Sequence, residues 1–164
     1  MTSSAVSPVE NDPRLEAARK RLRESVSPAD MLEAIREIVT NLLGCEEIGL
    51  FTVERGDGRL FWSFGIDPQL HRNLDALDRS ALQRVLRGEH YVARVTCEGT
   101  VEAAASAFRV FIPICLDGRT VGVLVMLKLL PQKLGFDEAD INLARLLAAE
   151  TGRILFDRTT DAGA

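Results

Sequence analysis

Two apolar segments joined by Asp117-Gly118 restrict the fold of this chain more than any other feature of its sequence. Residues 110–116 (VFIPICL) and 120–129 (TVGVLVMLKL) are rich in aliphatic and β-branched residues, and Asp-Gly between two such segments is typical of a tight β-hairpin. The second segment is apolar almost throughout, so we predict a central strand that is covered on both faces. Pro113 cannot donate a hydrogen bond to a neighbouring strand, which predicts a sheet edge or a β-bulge at that position.

A second hairpin and a long connection come before this one. Residues 47–53 (EIGLFTV) and 59–64 (RLFWSF) have the composition of strands, and the Gly-rich residues 55–58 between them are typical of a hairpin turn. The connection over 66–108 contains one apolar pattern that predicts a short helix ending at Gly88, followed by a short edge strand at 91–93. For residues 94–108 a loop and a short helix are both open, and loops of this length are often functional.

Helical patterns occupy both ends of the chain. Residues 13–27 carry a narrow apolar stripe in a charged background, which predicts a helix packed along another helix rather than on a sheet. The stripe consists of Leu15, Ala18, Leu22 and Val26. Ser27-Pro28 starts a second helix, whose broad apolar face suits a sheet and which ends at Gly44. Asp137 is the predicted N-cap of the last helix.

Together these elements predict one α/β domain of the α+β class. A central antiparallel sheet carries the terminal helices on one face and the loop–helix connection on the other. We expect a disordered tail over residues 1–12, an N-terminal helix over 13–27, the main domain over 28–157 and a second disordered tail over 158–164.

Composition excludes several classes of function. The formal net charge of the 164 residues is −4, which argues against nucleic acid as a partner because phosphate binding needs a basic face. No secretory signal is present, and the longest apolar stretch, residues 120–130, is too short to span a bilayer, so we predict a cytoplasmic protein without membrane insertion. The three cysteines form no C-x-x-C pair and are predicted to be reduced thiols.

The closing segment, IPICLDGRTVGVLVMLKLLPQKLGFDEADINLARLLAAETGRIL over 112–156, resembles the end of a GAF domain. Phe136 and Asp140 stand where that family has its F-x-x-x-D motif before the last helix. The strand EIGLFTV and the segment ALQRVLRGEHYVA are similar to earlier parts of the family, and the resemblance covers residues 28–157. It implies a GAF/profilin-like sheet and a stand-alone regulatory domain in signal transduction, although such motifs specify fold better than chemistry.

The resemblance also implies a ligand pocket between the sheet and the connection, and a homodimer formed through the first and last helices. The residues expected at the pocket are Leu50, Phe61, Trp62, Arg94, Thr96, Cys97, Ser106, Phe111 and Val123. Those expected at the dimer interface are Leu15, Ala18, Leu22, Val26, Leu147, Thr151 and Ile154. Further polar candidates in the connection are Arg72, Asn73, Arg79 and Ser80.

The sequence does not identify a ligand or cofactor. Members of the family bind cyclic nucleotides, tetrapyrroles, haem, amino acids or metals, but the N-K-F-D-E signature of cyclic-nucleotide binders is absent. Cys97 is followed by Glu98 rather than by the histidine typical of bilin attachment. His71 and His90 are the only histidines and lack the spacing of a metal site, so no metal is predicted.

Three functions stay open. In the first, a small molecule enters the pocket and shifts the packing of the terminal helices. In the second, the aliphatic pocket is filled by the chain's own side chains, and the domain is a scaffold that docks a partner signalling protein. The third is the family's thiol-dependent reductase of free methionine sulfoxide. The enzyme's cysteine-bearing loop motifs are absent here, so we predict a protein that is not an enzyme, with no catalytic residues.

Overall fold

A computed structural model describes residues 12–66, 68, 72–74, 78–94, 108–133 and 135–156. Over these ranges five strands form one antiparallel sheet in the order β2-β1-β5-β4-β3. The strands are β1 (Cys45–Glu54), β2 (Asp57–Phe64), β3 (Tyr91–Arg94), β4 (Phe108–Leu116) and β5 (Arg119–Leu129). The predicted α+β fold class is confirmed. The predicted tails lie outside the described residues, apart from Asp12.

Both hairpins form where the turn residues predict them. Arg55 and Gly56 have φ of 53° and 77°, and Asp117 and Gly118 have φ of 52° and 76°. A positive φ at both central residues is what a two-residue type I′ turn requires, and Asp-Gly tolerates it. The two turns place β1 beside β2 and β4 beside β5.

Each helix begins at a residue whose side chain caps it. The helices are α1 (Pro13–Arg23), α2 (Pro28–Ile38), α3 (Arg79–Leu86) and α4 (Glu138–Thr151). Ser27 accepts a hydrogen bond from the Asp30 N–H at 3.1 Å, as predicted, and Asp137 forms a reciprocal capping box with Asp140. Helices α2 and α4 each continue into a π-helical turn, over Val39–Leu43 and Gly152–Phe156.

The core lies in two layers, one on each face of the sheet. On β5, Leu124 and Met126 pack towards the terminal helices, whereas Val123, Val125 and Leu127 pack towards α3. The prediction that this strand is central and covered on both faces is therefore confirmed.

Pro113 lies where β4 becomes an edge strand of the sheet. Strand β3 pairs with β4 only as far as Phe111, opposite Tyr91. Beyond that point the described partner of β4 is β5 alone, and a bulge follows between Ile114 and Cys115. Of the two alternatives predicted for this proline, the edge is present, whereas Pro113 itself pairs in register with Val123 and the bulge lies beyond it.

Helix α1 packs on its own chain. Ala18 and Leu22 are 0% and 2% exposed because α1 lies against α4 and α2, and Leu15 packs at the border of the same core. The helix ends at Arg23, so Val26 is not part of the stripe and is 90% exposed.

Four of the seven residues predicted for the dimer interface are buried within the chain itself. The stripe does contact another helix, but that helix is α4 of the same chain. On α4, Leu147 and Thr151 are fully buried as well. Of the predicted set, Val26 and Ile154, at 90% and 38% exposure, are accessible, and Leu15 is partly so.

A buried carboxylate joins α1 to α4. Asp140, whose side chain is 4% exposed, forms an ion pair with Arg14 at 2.7 Å and with Lys133 at 3.0 Å. Burial alone would raise the pKa of Asp140, but hydrogen bonds from Arg14, from the Asp137 N–H and from Lys133 outweigh burial and hold the pKa below its ordinary value. Arg14 also donates to the Leu42 carbonyl at 3.1 Å, which ties in the end of the second helical segment.

Candidate functional site

The sheet face beneath α3 is the place where the predicted pocket would lie. Phe111 and Val123, two of the residues predicted to line it, are fully buried on this face. Helix α3 covers them with its own apolar side chains, and the Thr120 hydroxyl donates to the Val85 carbonyl at 2.6 Å, which fastens the end of α3 to β5. The described part of this face is therefore largely filled by side chains of the chain itself.

An aromatic pair and a cation border this face. Tyr91 stacks on Phe111 with 6.0 Å between ring centroids and 29° between ring planes. The Arg84 guanidinium lies over the Tyr91 ring, 4.9 Å from its centroid, within the range of a cation–π interaction. Strand β3 then leads towards residues 95–107, which lie outside the described residues together with the candidates Thr96, Cys97 and Ser106. Arg94 pairs with Phe108 through the backbone.

Leu50 and Trp62 lie on the other face of the sheet. Both pack in the core beneath the terminal helices, so the prediction that they line one floor with Phe111 and Val123 is wrong. Neighbouring strand residues point to opposite faces, and in β1 it is Phe51 that points towards α3.

Phe61 is also misplaced by the prediction. Leu50 pairs with Trp62 and Phe51 with Leu60, so Phe61 is the extra residue of a β-bulge and has no partner in β1. Its side chain is 53% exposed and contacts Phe156 edge to face at 6.1 Å. A bulge depends on the partner strand, so the sequence carries no local signal for it.

Two of the polar candidates of the connection lie beside the β2 edge, and the other two lie in α3. The Arg72 carbonyl accepts a hydrogen bond from the Leu60 N–H at 2.7 Å, and Asn73 forms an isolated β-bridge with Arg59. Asn73 and Arg79 line a cleft of about 430 Å³ beside α3. Ser80 is exposed in the first turn of α3.

Two more open cavities escaped the sequence analysis, because each combines residues that are distant along the chain. One, of about 700 Å³, lies between the two hairpin turns and is bordered by Leu86 and Phe156. The other, of about 440 Å³, lies at the free edge of β4 and is bordered by Arg84, His90 and Arg145.

The two described cysteines lie in different surroundings. Cys45 is buried in the core beneath the helices, and this burial raises the pKa of its thiol to about 12; Lys133 and Asp140 have smaller, opposing effects. A thiol with so high a pKa is a poor nucleophile at neutral pH. Cys115 is exposed, with its sulfur 3.8 Å from the Thr120 hydroxyl oxygen.

Neither a metal cluster nor a membrane span occurs in the described ranges. No group of three or more His, Cys, Asp or Glu residues there could hold a metal ion, and His71 falls outside them. None of the described helices is long and apolar enough to cross a bilayer.

Comparison with known proteins agrees with this architecture. The family model described as the GAF domain matches residues 25–155, whereas no curated protein matches the chain. Similar solved structures include the GAF domain of the Acinetobacter phosphoenolpyruvate-protein phosphotransferase, with 16% identity over 97% of this chain and 99% of that chain and a TM-score of 0.65. The GAF domain of a candidate sensor histidine kinase from Pseudomonas syringae pv. tomato has 16% identity over 92% and 91%, with a TM-score of 0.64.

Another similar structure is the free methionine-R-sulfoxide reductase of Neisseria meningitidis in complex with its substrate. It has 18% identity over 99% of this chain and 98% of that chain, with a TM-score of 0.64. At these identities the structures show a shared fold, whereas the family model covers most of the chain. The chain therefore belongs to the GAF domain family.

Proposed function

We propose that this GAF domain is a sensor whose ligand, a small and mainly apolar molecule, binds at the border between the sheet face and α3. The observation that carries the proposal is the stack of Arg84, Tyr91 and Phe111 at that border. Aromatic faces with one adjoining cation suit a flat apolar body that bears a polar group. GAF domains are in general regulatory modules of signalling proteins, which agrees with this role.

The signal would pass through the sheet to the terminal helices. Val123 faces α3, and its neighbour Leu124 packs beneath the helices, so a shift of β5 moves both layers. A ligand can change the population of two such states only by the difference between its affinities for them. We place the proposed relay to a second copy or to a signalling partner on the helix side, where Ile154 is exposed.

A scaffold is the second candidate, and the β2 edge favours it. Phe61 and Phe64 are 53% and 41% exposed, and Arg36 lies 5.0 Å from the centre of the Phe64 ring. Exposed aromatic and arginine side chains are enriched in protein–protein interfaces.

A reductase is the least favoured function. Its support is the similarity to the Neisseria enzyme, whose structure holds its substrate. Among the described cysteines, Cys45 is buried with a raised pKa, and Cys115 lies on β4. A thiol reaction in the pocket would therefore depend on Cys97.

Native mass spectrometry of the purified chain, followed by a thermal-shift screen of metabolites, tests the sensor. A ligand at 100 times its Kd should stabilise the fold by about 2.7 kcal/mol. Tyr91→Ala should abolish that shift, whereas the matched control Phe61→Ala, on the opposite side of the sheet, should retain it. Equal shifts in both variants would place the ligand elsewhere.

The same preparation separates the other two functions. The scaffold is favoured if no ligand raises the Tm and if the wild type binds a partner protein that Phe61→Ala does not bind. Turnover of free methionine sulfoxide that disappears in Cys97→Ser would establish the enzyme instead.

A further inference from the structure

We propose that the cavity at the free edge of β4 is a binding site for a small oxyanion, a carboxylate or phosphate group carried on a short apolar body. This cavity adjoins the border of the sheet face beneath α3 and shares Arg84 with it. Arg145 and His90 belong to the cavity alone, so Arg145→Gln tests this proposal separately from the sensor proposal.

The cavity arises where β3 and β4 diverge. Tyr91 is the first residue of β3 to pair with β4, opposite Phe111. Residues 88–90 approach from α3 without pairing to β4, and Ile112 and Pro113 form the opposite wall of a cavity of about 440 Å³. Pro113 has no N–H to donate, so extending the pairing of β3 and β4 across this gap would leave one backbone hydrogen bond between the strands unformed.

Three separate elements contribute cationic or hydrogen-bonding residues to the lining of this gap. Arg84 comes from α3, His90 from the segment before β3, and Arg145 from α4. Ala149 lies one turn after Arg145 and lines the same cavity. Gly152, directly after α4, has no side chain and so allows the helix to lie close to β4. A Cβ added at Gly152 would lie 2.7 Å from the Cγ2 of Ile114, which is too close for a normal contact.

The charges at this gap are not neutralised internally. Its acidic residue, Glu89, pairs with Arg87 at 3.2 Å. Arg84 stacks on Tyr91, which orients the guanidinium but satisfies none of its N–H donors. Over the described ranges neither His90 nor Arg145 has an acidic partner. By contrast, Arg153, two turns after Arg145, pairs with Glu150 at 2.7 Å.

The end of α3 does not oppose an anion here. The C-terminal carbonyls of a helix carry partial negative charge, but the Arg84 carbonyl accepts N–H groups from Arg87 and Glu89. The Val85 carbonyl accepts the Gly88 N–H and the Thr120 hydroxyl. The lining then contains two guanidinium groups against one carboxylate, that of Glu89, which pairs with Arg87. Guanidinium is the side chain best matched to carboxylate or phosphate.

The apolar part of the lining restricts the ligand class. Ile112, Pro113 and Ala149 border the cavity beside the cations. A bare inorganic ion would leave these surfaces in water, whereas a short hydrocarbon body attached to the anion would cover them. We therefore expect a dicarboxylate to bind more tightly than inorganic phosphate.

A titration followed by NMR of the ¹⁵N-labelled chain tests the site with inorganic phosphate and succinate, each against sodium chloride at equal ionic strength. The expected result is saturable shifts confined to amides around the cavity, such as those of Gly88, Cys115 and Ala149. Arg84→Gln and Arg145→Gln should each weaken binding at least about tenfold, because each removes charge-assisted hydrogen bonds.

Arg153→Gln is the matched control, since it removes one exposed arginine near the same end of the molecule but outside the cavity. An equal loss of affinity in Arg153→Gln and Arg145→Gln would overturn the proposal, as would shifts that grow linearly without saturation. A capped Glu-Glu peptide that binds more tightly than succinate would identify a protein carboxylate as the source of the anion. Weaker binding of the peptide would identify a free metabolite.

Discussion

Asp140→Asn should show how strongly α1 is held to the rest of the domain. The substitution keeps the size of the side chain but removes its charge. The carboxylate is 4% exposed and lies 2.7 Å from Arg14 and 3.0 Å from Lys133. Its loss leaves both cations without their common partner at the junction of α1 and α4.

The size of the effect follows from the burial of the three side chains. Removing one member of a fully buried ion pair costs about 3 to 5 kcal/mol. Arg14 and Lys133 are 26% and 21% exposed, so water restores part of their hydration, and Arg14 keeps its ion pair with Asp12 at 2.8 Å. We therefore expect a smaller loss, of about 2 to 3 kcal/mol. For a domain of this size that corresponds to a fall in Tm of roughly 5 to 10 °C.

Urea denaturation at pH 7, with Glu138→Gln as the control, measures this loss. Glu138 is exposed in the same first turn of α4, so the control loses only its interaction with the helix dipole, under about 1 kcal/mol. If the two variants differ by less than about 0.5 kcal/mol, the ion pairs do not hold α1 in place.

The pH dependence provides an independent check. The pKa of Asp140 is lowered in the folded state, so its contribution to stability is fully present above the unfolded value of about 3.9. That contribution is lost as the pH falls through the lower folded pKa. The stabilities of wild type and Asp140→Asn should therefore converge in acid, and a constant difference down to the lowest measurable pH would contradict the argument.

Three more predictions concern the core and the thiols. Leu22→Ala should lower the free energy of unfolding by about 2 to 4 kcal/mol in urea titrations, because Leu22 is 2% exposed, whereas Val26→Ala should have almost no effect; equal effects would place α1 outside the fold. In a Cys97→Ser background, the exposed Cys115 should react quickly with a thiol reagent at pH 8. Cys45 should react only after unfolding, because burial raises the pKa of its thiol to about 12. Rapid modification of both thiols in the folded protein would contradict this. Gly122→Val should destabilise the domain by about 1 to 3 kcal/mol in thermal melts, because an added Cβ would lie 2.8 Å from a backbone oxygen of β1. An unchanged Tm would show that β5 can move away from β1.

Turns and helix caps could be predicted because their chemistry is local. Asp117-Gly118 adopts two positive φ angles, and Ser27 needs only the N–H three residues later. Neither requires information from distant parts of the chain. For the same reason the edge at Pro113 could be predicted, since a missing N–H excludes a regular central position.

The faces of β1 and β2 could not be predicted in the same way. The segment EIGLFTV is apolar at both alternating sets of positions, so its period does not distinguish Leu50 from Phe51. The bulge that places Phe61 out of register is defined by the pairing of β2 with β1. As a result the residues predicted for the pocket floor come from opposite faces of the sheet, and of these Phe111 and Val123 lie on the face towards α3.

The stripe on α1 shows a further limit of periodicity. A narrow apolar stripe indicates that a helix contacts another helix, but it does not indicate which chain supplies that helix. Here the answer depends on Arg14 and Asp140, which are 126 positions apart in the sequence. A dimer built on Ala18 and Leu22 would require α1 to leave α4 first, which exposes the apolar core and separates that ion pair. A dimer of the folded domain would therefore have to use residues that stay exposed, such as Ile154, rather than Ala18 and Leu22. Because Arg14 and Asp140 join the two helices, a displacement of α1 that keeps this ion pair would also displace α4.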